Sequence, residues 1–248
     1  METVLSTNLA VVLVRTRNPL NMGAVARAMQ NFGVRELRVV EPYEVSFREA
    51  RSAVGAGAVL NDAREYATVA EAVADCHLVV GTTAARRREL EQRVLEPDEA
   101  EAPVHAALAA GRVALLFGSE KHGLTREDLD HCHWLLRIAT EAEQPSMNLG
   151  QAAAVCLWVL TRRLALPTGA ARGDAARAGT ASGELERLGA LWMEVLDAAG
   201  YVRPRTGAST AAEVRRMLRR FSVTDADTHL LMGMARRLLW RLKAGPKP

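Results

Sequence analysis

The sequence predicts an α/β fold, a mostly parallel sheet covered on both faces, followed by a small all-helical domain. Two observations carry this. Short segments of strand character, Leu9 to Val14, Glu36 to Glu41, His77 to Val80, Val113 to Phe117 and Trp134 to Ala139, alternate with helical stretches up to Leu164, which is the pattern of a parallel sheet between helices. From Pro167 to Gly183 the composition then shifts to Ala, Gly, Thr, Ser, Arg and Pro with no apolar period, and leucines at helical spacing follow. The chain therefore divides into a domain at 1–166, a linker at 167–183 and a helical extension at 184–248.

Taken in order, Leu9 to Val14 is an apolar run that breaks at the basic, turn-rich segment Arg15, Thr16, Arg17, Asn18, Pro19. Asn21 can cap the next helix, whose Val25, Ala28, Met29 and Phe32 make one apolar stripe, and Gly33 stops it. Arg27 lies about 200° around from Val25 and so faces away from that stripe. Pro42 ends the second strand, Val69 to Ala74 suits a helix, and His77 to Val80 runs into Gly81, Thr82, Thr83, Ala84 and the basic Arg86, Arg87, Arg88. Ser52 to Val59 lacks the last glycine of a dinucleotide fingerprint. Glu99 to Ala110 reads as a helix closed by Gly111.

The next stretch, Leu115 to Leu160, sets two polar loops between hydrophobic elements. The first begins at Gly118 and ends where Thr125 and Asp128, three apart, make a capping box. The second runs from Thr140 to Pro145, after which Asn148 and Gln151 start a helix that is apolar all round and hence buried. Loops leaving the C-terminal ends of neighbouring strands are where an α/β sheet holds its ligand. Singly, each residue has an ordinary explanation: Gly118 as a turn, Glu120 as a solvated charge, Ser146 and Asn148 as caps.

In the extension, Leu185, Leu188, Leu191, Trp192, Val195 and Leu196 form one helical stripe, and Val214, Met217, Leu218 and Phe221 begin a second. Arg215, Arg216, Arg219 and Arg220 crowd the other side of that second helix and are expected in solvent. Thr224 or Asp225 can cap a third, with Leu230, Leu231, Met234, Leu238 and Leu239 as its apolar face.

Net charge is only +3 but uneven: residues 166–248 hold 14 Lys/Arg against 8 Asp/Glu, so the basic end is the expected contact for a polyanion. Cys76, Cys132 and Cys156 lie far apart without metal or disulfide spacing, which points to a reducing compartment. His131, Cys132 and His133, read as strand residues, would face alternate sides, and no metal site is expected. With no apolar run of membrane-spanning length and no leader pattern, the expected location is the cytoplasm.

FGSEKHGL followed by PSMNLGQA resembles the second and third motifs of the SpoU/TrmH branch of the SPOUT RNA methyltransferases, and NPLNMGAVARAM resembles the first. GYVRP, VRRMLRRF and DADTHLLMGMAR resemble the C-terminal extension of the TrmJ-like tRNA 2′-O-methyltransferases. The resemblance implies a catalytic domain with a C-terminal trefoil knot holding S-adenosylmethionine, a homodimer whose site is completed across the interface, and a tRNA substrate methylated at anticodon-loop position 32. It implies that Arg27 is central to activating the ribose hydroxyl, with Asn21, Glu120, Ser146 and Asn148 as the remaining polar motif positions. It also places the methyl donor against Thr82, Thr83, Ala84, Gly118, Ile138, Pro145, Ser146, Met147 and Asn148. Arg15, Arg17 and Arg86, with Arg215, Arg216, Arg219 and Arg220, are the expected RNA contacts. A ribosomal RNA 2′-O-methyltransferase of the same branch, or a non-catalytic RNA-binding module, are the alternatives.

Overall fold

The computed structural model describes residues 7–52, 57–84, 91–164, 179–203 and 205–244, with backbone alone at 49, 51 and 52. Seven strands, β1 (Leu9–Val14), β2 (Glu36–Val40), β3 (Arg64–Tyr66), β4 (Leu78–Thr82), β5 (Arg93–Leu95), β6 (Val113–Phe117) and β7 (Trp134–Leu136), form one sheet in the order β3-β2-β1-β6-β4-β7-β5. Every pairing in it is parallel. The helices of this region are α1 (Pro19–Asn31), α2 (Glu44–Ser52), α3 (Gly57–Asn61), α4 (Val69–Ala72), α5 (Pro97–Ala110), α6 (Arg126–Asp130) and α7 (Leu149–Thr161).

Side chains alternate across the sheet, as the two-residue strand period requires. Leu9, Val11 and Leu13 of β1 join a core with α1, α3, α5 and α7, whereas Val12 and Val14 join a second core with α4 and the end of α6. All six β1 residues are buried, which is why the run reads as uniformly apolar. β6 inserts between β1 and β4, and β7 between β4 and β5, so four parallel strands deliver their C-terminal ends side by side on one edge. The loops leaving that edge begin at Arg15, Thr83, Gly118 and Arg137.

Some expectations shift. The strand expected at Trp134–Ala139 stops at Leu136, and β3, β5, α2 and α3 are additional; a three-residue strand is too short to register as a pattern. The cap of α1 is Asn18, whose side chain accepts from Leu20 N at 2.9 Å, with Pro19 as the first helical residue; Asn21 lies inside the helix. The caps at Thr125 and Asn148 form as expected, and of Thr224 and Asp225 it is Thr224 that caps the last helix. His131 to His133 fall in the turn between α6 and β7 rather than on a strand.

The C-terminal helices are α8 (Ser182–Ala198), α9 (Gly207–Arg220) and α10 (Asp225–Lys243), around Leu188, Val214, Leu218 and Met232. On α10 the inward residues are Thr228, Met232 and Ala235, while Leu230, Met234 and Leu238 face out. Apolar residues surround this helix, so sequence alone leaves its rotation open and packing on α8 decides it. On α9, Met217 and Phe221 are exposed and Arg219 is buried, the reverse of the expected arrangement. Residues 167–178 of the expected linker lie outside the described residues; 179–183 are tied down. Thr180 N donates to Val223 O, Ser182 N to Cys76 O and Gly183 N to Ala74 O.

Candidate active site

The loops at the C-terminal edge of the sheet enclose a cavity of about 540 Å³. All nine residues expected around the methyl donor line it: Thr82, Thr83 and Ala84 from the end of β4, Gly118 after β6, Ile138 after β7, and Pro145, Ser146, Met147 and Asn148 ahead of α7. Its floor is apolar, made by Phe117, Leu136, Leu149 and Cys156. Sequence reasoning missed these four, since a strand-end Leu or Phe looks like any core residue. Burial pushes the Cys156 thiol up to about 12, so it is an unreactive part of that floor.

Local contacts shape the loops. Thr82 Oγ1 donates to Leu116 O at 2.9 Å and Thr83 N to Leu136 O at 2.9 Å, fastening the end of β4 to its two neighbours. A Cβ at Gly118 would lie 2.0 Å from the carbonyl carbon of Gly123. The close approach is to the loop's own returning backbone, where Gly123 has φ +66° and its N–H donates to Ser119 O at 2.8 Å. In the second loop Thr140 Oγ1 donates to Pro145 O at 3.3 Å. At the start of α7, Gly150 is equally constrained, because a Cβ would come within 2.5 Å of Ala24 Cβ on α1.

A polar chain crosses the rim. Asn148 Oδ1 accepts from Gly150 N and Gln151 N, while its Nδ2 donates to Asn21 Oδ1 at 2.9 Å. Asn21 Nδ2 in turn donates to Glu120 Oε1 at 3.0 Å. Glu120 also accepts from Arg17 N at 3.2 Å and Asn18 N at 3.1 Å. Partial burial works to raise its pKa, but the Asn21 side chain and these backbone N–H groups outweigh that and hold the carboxyl below the usual range. Glu120 is thus an ionised organiser joining the first motif to the second. Asn21, Glu120, Ser146 and Asn148 all line the cavity.

Arg27 is not among the lining residues. It is exposed, six residues beyond Asn21 on α1, hence about 9 Å further along and about 120° around the helix. Arg17 is exposed, whereas the Arg15 guanidinium is engaged by Glu41 and Asp128 rather than open to a phosphodiester. Arg86 lies outside the described residues.

The expected arginine face of α9 is corrected. Arg215 pairs with Glu186 at 3.1 Å, and Arg216 with Glu91 at 2.8 Å and Asp130 at 2.9 Å. Arg219, 3% exposed, donates to His131 O at 3.0 Å and to Glu186 at 2.8 Å. Of the four, only Arg220 is exposed. The carboxylates that capture them come from α8 and from the α6 end of the sheet domain, partners distant in sequence. Among the described residues no group of three His, Cys, Asp or Glu side chains could hold a metal, and no helix is long and apolar enough to cross a membrane.

A seven-stranded parallel sheet with a polar-rimmed cavity at its C-terminal edge and the three motifs gathered there is the arrangement of the SpoU-type RNA methyltransferases. The chain belongs to the SpoU rRNA methylase family, whose model matches residues 8–158. Among its relatives, the tRNA (cytidine/uridine-2′-O-)-methyltransferase TrmJ of Cronobacter sakazakii is 33% identical over 234 residues, 92% of this chain and 94% of that one. TrmJ of Salmonella typhimurium is 34% identical over 232 residues, with the same coverage. The crystal structure of TrmJ from Z. mobilis ZM4 superposes with a TM-score of 0.79 at 32% identity, covering 92% of this chain and 98% of that chain.

Proposed function

We propose that this RNA methyltransferase transfers a methyl group from S-adenosylmethionine to the ribose 2′-hydroxyl of a cytidine or uridine in tRNA, at anticodon-loop position 32. The convergence on one cavity of all nine residues expected around the methyl donor is the observation that carries the reading. Relatives named as tRNA (cytidine/uridine-2′-O-)-methyltransferases, similar over nearly the whole chain, favour tRNA over ribosomal RNA.

The cavity fits such a donor: its volume is in the range of cofactor sites, its floor is apolar, and its rim offers the backbone of Ile138 and of Pro145 to Asn148 to polar edges. S-Adenosylmethionine supplies an electrophilic methyl on a sulfonium. The chain's work is alignment of the attacking oxygen, which alone accounts for a large part of such a rate enhancement. Glu120, Asn21 and Asn148 lock the first motif, the Gly118 loop and α7 into one frame. Arg27 orients the ribose oxygen and its phosphate and stabilises developing negative charge, because a guanidinium stays protonated and has no acceptor atom. The interleaving of β6 and β7 among earlier strands supports the knotted arrangement that the family resemblance implies.

The separation of Arg27 from its own cavity, with Leu20 81% and Trp158 51% exposed on α1 and α7, supports a homodimer in which a second copy brings Arg27 to the site. Titration of S-adenosylmethionine in the absence of RNA tests the reading against a non-catalytic RNA-binding module, which would not bind it. Mass mapping of tRNA from cells lacking the protein then locates the nucleotide. Mixing Arg27→Ala with Asn148→Ala protein tests the shared site: random pairing of subunits should restore roughly a quarter of the activity, whereas sites complete within one chain would restore none.

A further inference from the structure

Helix α6 is five residues long and is gripped from both sides. At its start Asp128, 3% exposed, accepts from Thr125 N at 2.7 Å and Thr125 Oγ1 at 2.8 Å, and also from the Arg15 guanidinium. Arg15 binds Glu41 at 2.7 Å as well. Both residues sit in the left-handed region, at φ +52° and +47°, a conformation that is strained for non-glycine residues and persists only where surroundings enforce it. Two residues on, the N–H groups of Arg17 and Asn18 are held by Glu120 at the cavity rim.

At its far end α6 meets the C-terminal helices. Asp130, 6% exposed, accepts from Arg216, and the next carbonyl, His131 O, accepts from Arg219. Arg219 and Arg215 are braced by Glu186 of α8, which also lies 3.4 Å from His131 Nδ1. A buried carboxylate stripped of its partner is strongly unfavourable, so α9 and α6 hold one another in a single arrangement.

We propose that the C-terminal helices set the geometry of the Arg15–Asn18 loop through α6, with Arg216, Asp130, Asp128 and Arg15 as positioning residues for methyl transfer. Arg215, Arg216 and Arg219 form an ionic coupling between the extension and the catalytic rim in place of an RNA-facing surface. Contacts made only when α9 is docked favour the arrangement of α6 in which Asp128 holds Arg15, and that difference in contacts is what couples the two regions. The consequence for catalysis rests on the methyltransferase reading of that rim; the coupling itself does not.

The experiment uses the full chain. Arg216→Gln should speed hydrogen exchange at the amides of Arg17 and Asn18 and slow single-turnover methylation at saturating donor and tRNA by about 5- to 20-fold, the size of an ordinary coupling between sites. Donor affinity should stay within about twofold, and adding Arg15→Gln should cost less than about twofold more, because residues in one network do not act independently. The exchanged pair Arg216→Asp with Asp130→Arg should recover both signals. Should Arg216→Gln melt too low to assay, Glu91→Gln removes the more exposed of its two carboxylates and should move both signals in the same direction. Unchanged exchange at Arg17 and Asn18 despite lowered overall stability, or losses from the two substitutions that multiply, would overturn the proposal. Faster exchange with no change in methylation, even in Arg15→Gln, would uphold the coupling and remove the loop from catalysis.

Discussion

Two arginine-rich regions read alike in the sequence and differ in the folded chain. At the first motif, Arg17 and Arg27 are left exposed, while Glu120 at the cavity rim is occupied by Asn21 and backbone N–H groups. On α9, Arg215, Arg216 and Arg219 each meet a carboxylate, and only Arg220 remains exposed. The first region keeps positive charge available for a polyanion. The second uses it internally, so a run of arginines does not by itself mark a nucleic-acid surface; the deciding fact is where the acids fold.

The largest test of that contrast is Arg219→Ala. It leaves Glu186 short of a partner in a nearly buried network and should lower unfolding free energy by about 3–5 kcal/mol in denaturant titration. Next is Arg27→Ala, which should leave the melting temperature and donor affinity almost unchanged, as befits an exposed substitution. It should slow single-turnover methylation by about 100-fold or more, the usual size of a lost contact to developing charge.

The half-buried His133 adds a pH signature to the docked side. Burial, aided by the Arg219 guanidinium, pushes its imidazole down to about 3, below its ordinary value, and Val79 N donates to its Nδ1 at 3.1 Å. The unfolded chain therefore binds a proton that the folded chain refuses, and stability is full above about pH 6.5 and is lost progressively as pH falls from there toward about 3, at up to about 1.4 kcal/mol per pH unit. A His133→Gln variant, compared by denaturant titration at pH 7 and pH 5, should show a flatter slope.

Asn148→Ala should weaken donor binding and remove the α7 cap, costing about 0.5–2 kcal/mol. Unchanged donor affinity with a lower melting temperature would reduce the residue to its capping role. The smallest expected effect is Arg220→Gln, within about 0.5 kcal/mol in stability because the side chain is exposed. If its loss matched that of Arg219→Ala, the division between engaged and free arginines would fail.

Much of the sheet domain was legible because burial on both faces leaves a plain mark. Leu9–Val14 and Val113–Phe117 are apolar throughout and were placed to the residue. Caps were legible for a similar reason, since Thr125, Asn148 and Thr224 act on backbone two or three residues away. The α1 cap was misplaced from Asn18 to Asn21 because both asparagines stand near Pro19 and either fits the local rule. The rotation of α10 and the fate of the α9 arginines were not legible. Apolar and basic side chains are spread around those helices, and their partners, Glu186, Asp130 and Glu91, lie 29 to 125 residues away along the chain.

What the sequence by itself determined is therefore what depends on neighbours along the chain: the alternation of strands and helices, the caps, and three motifs whose residue types suit one site. Tertiary structure decided what depends on neighbours across it. The strand order sets four loop ends side by side and so assembles the cavity; a Cβ at Gly118 would strike the returning backbone at Gly123. The pairing of Arg219 with Glu186 and of Arg15 with Asp128 turned sequence-level basic patches into fasteners. The physical reason is that a cation's role is fixed by the anion it meets after folding, and local pattern carries no record of that distance.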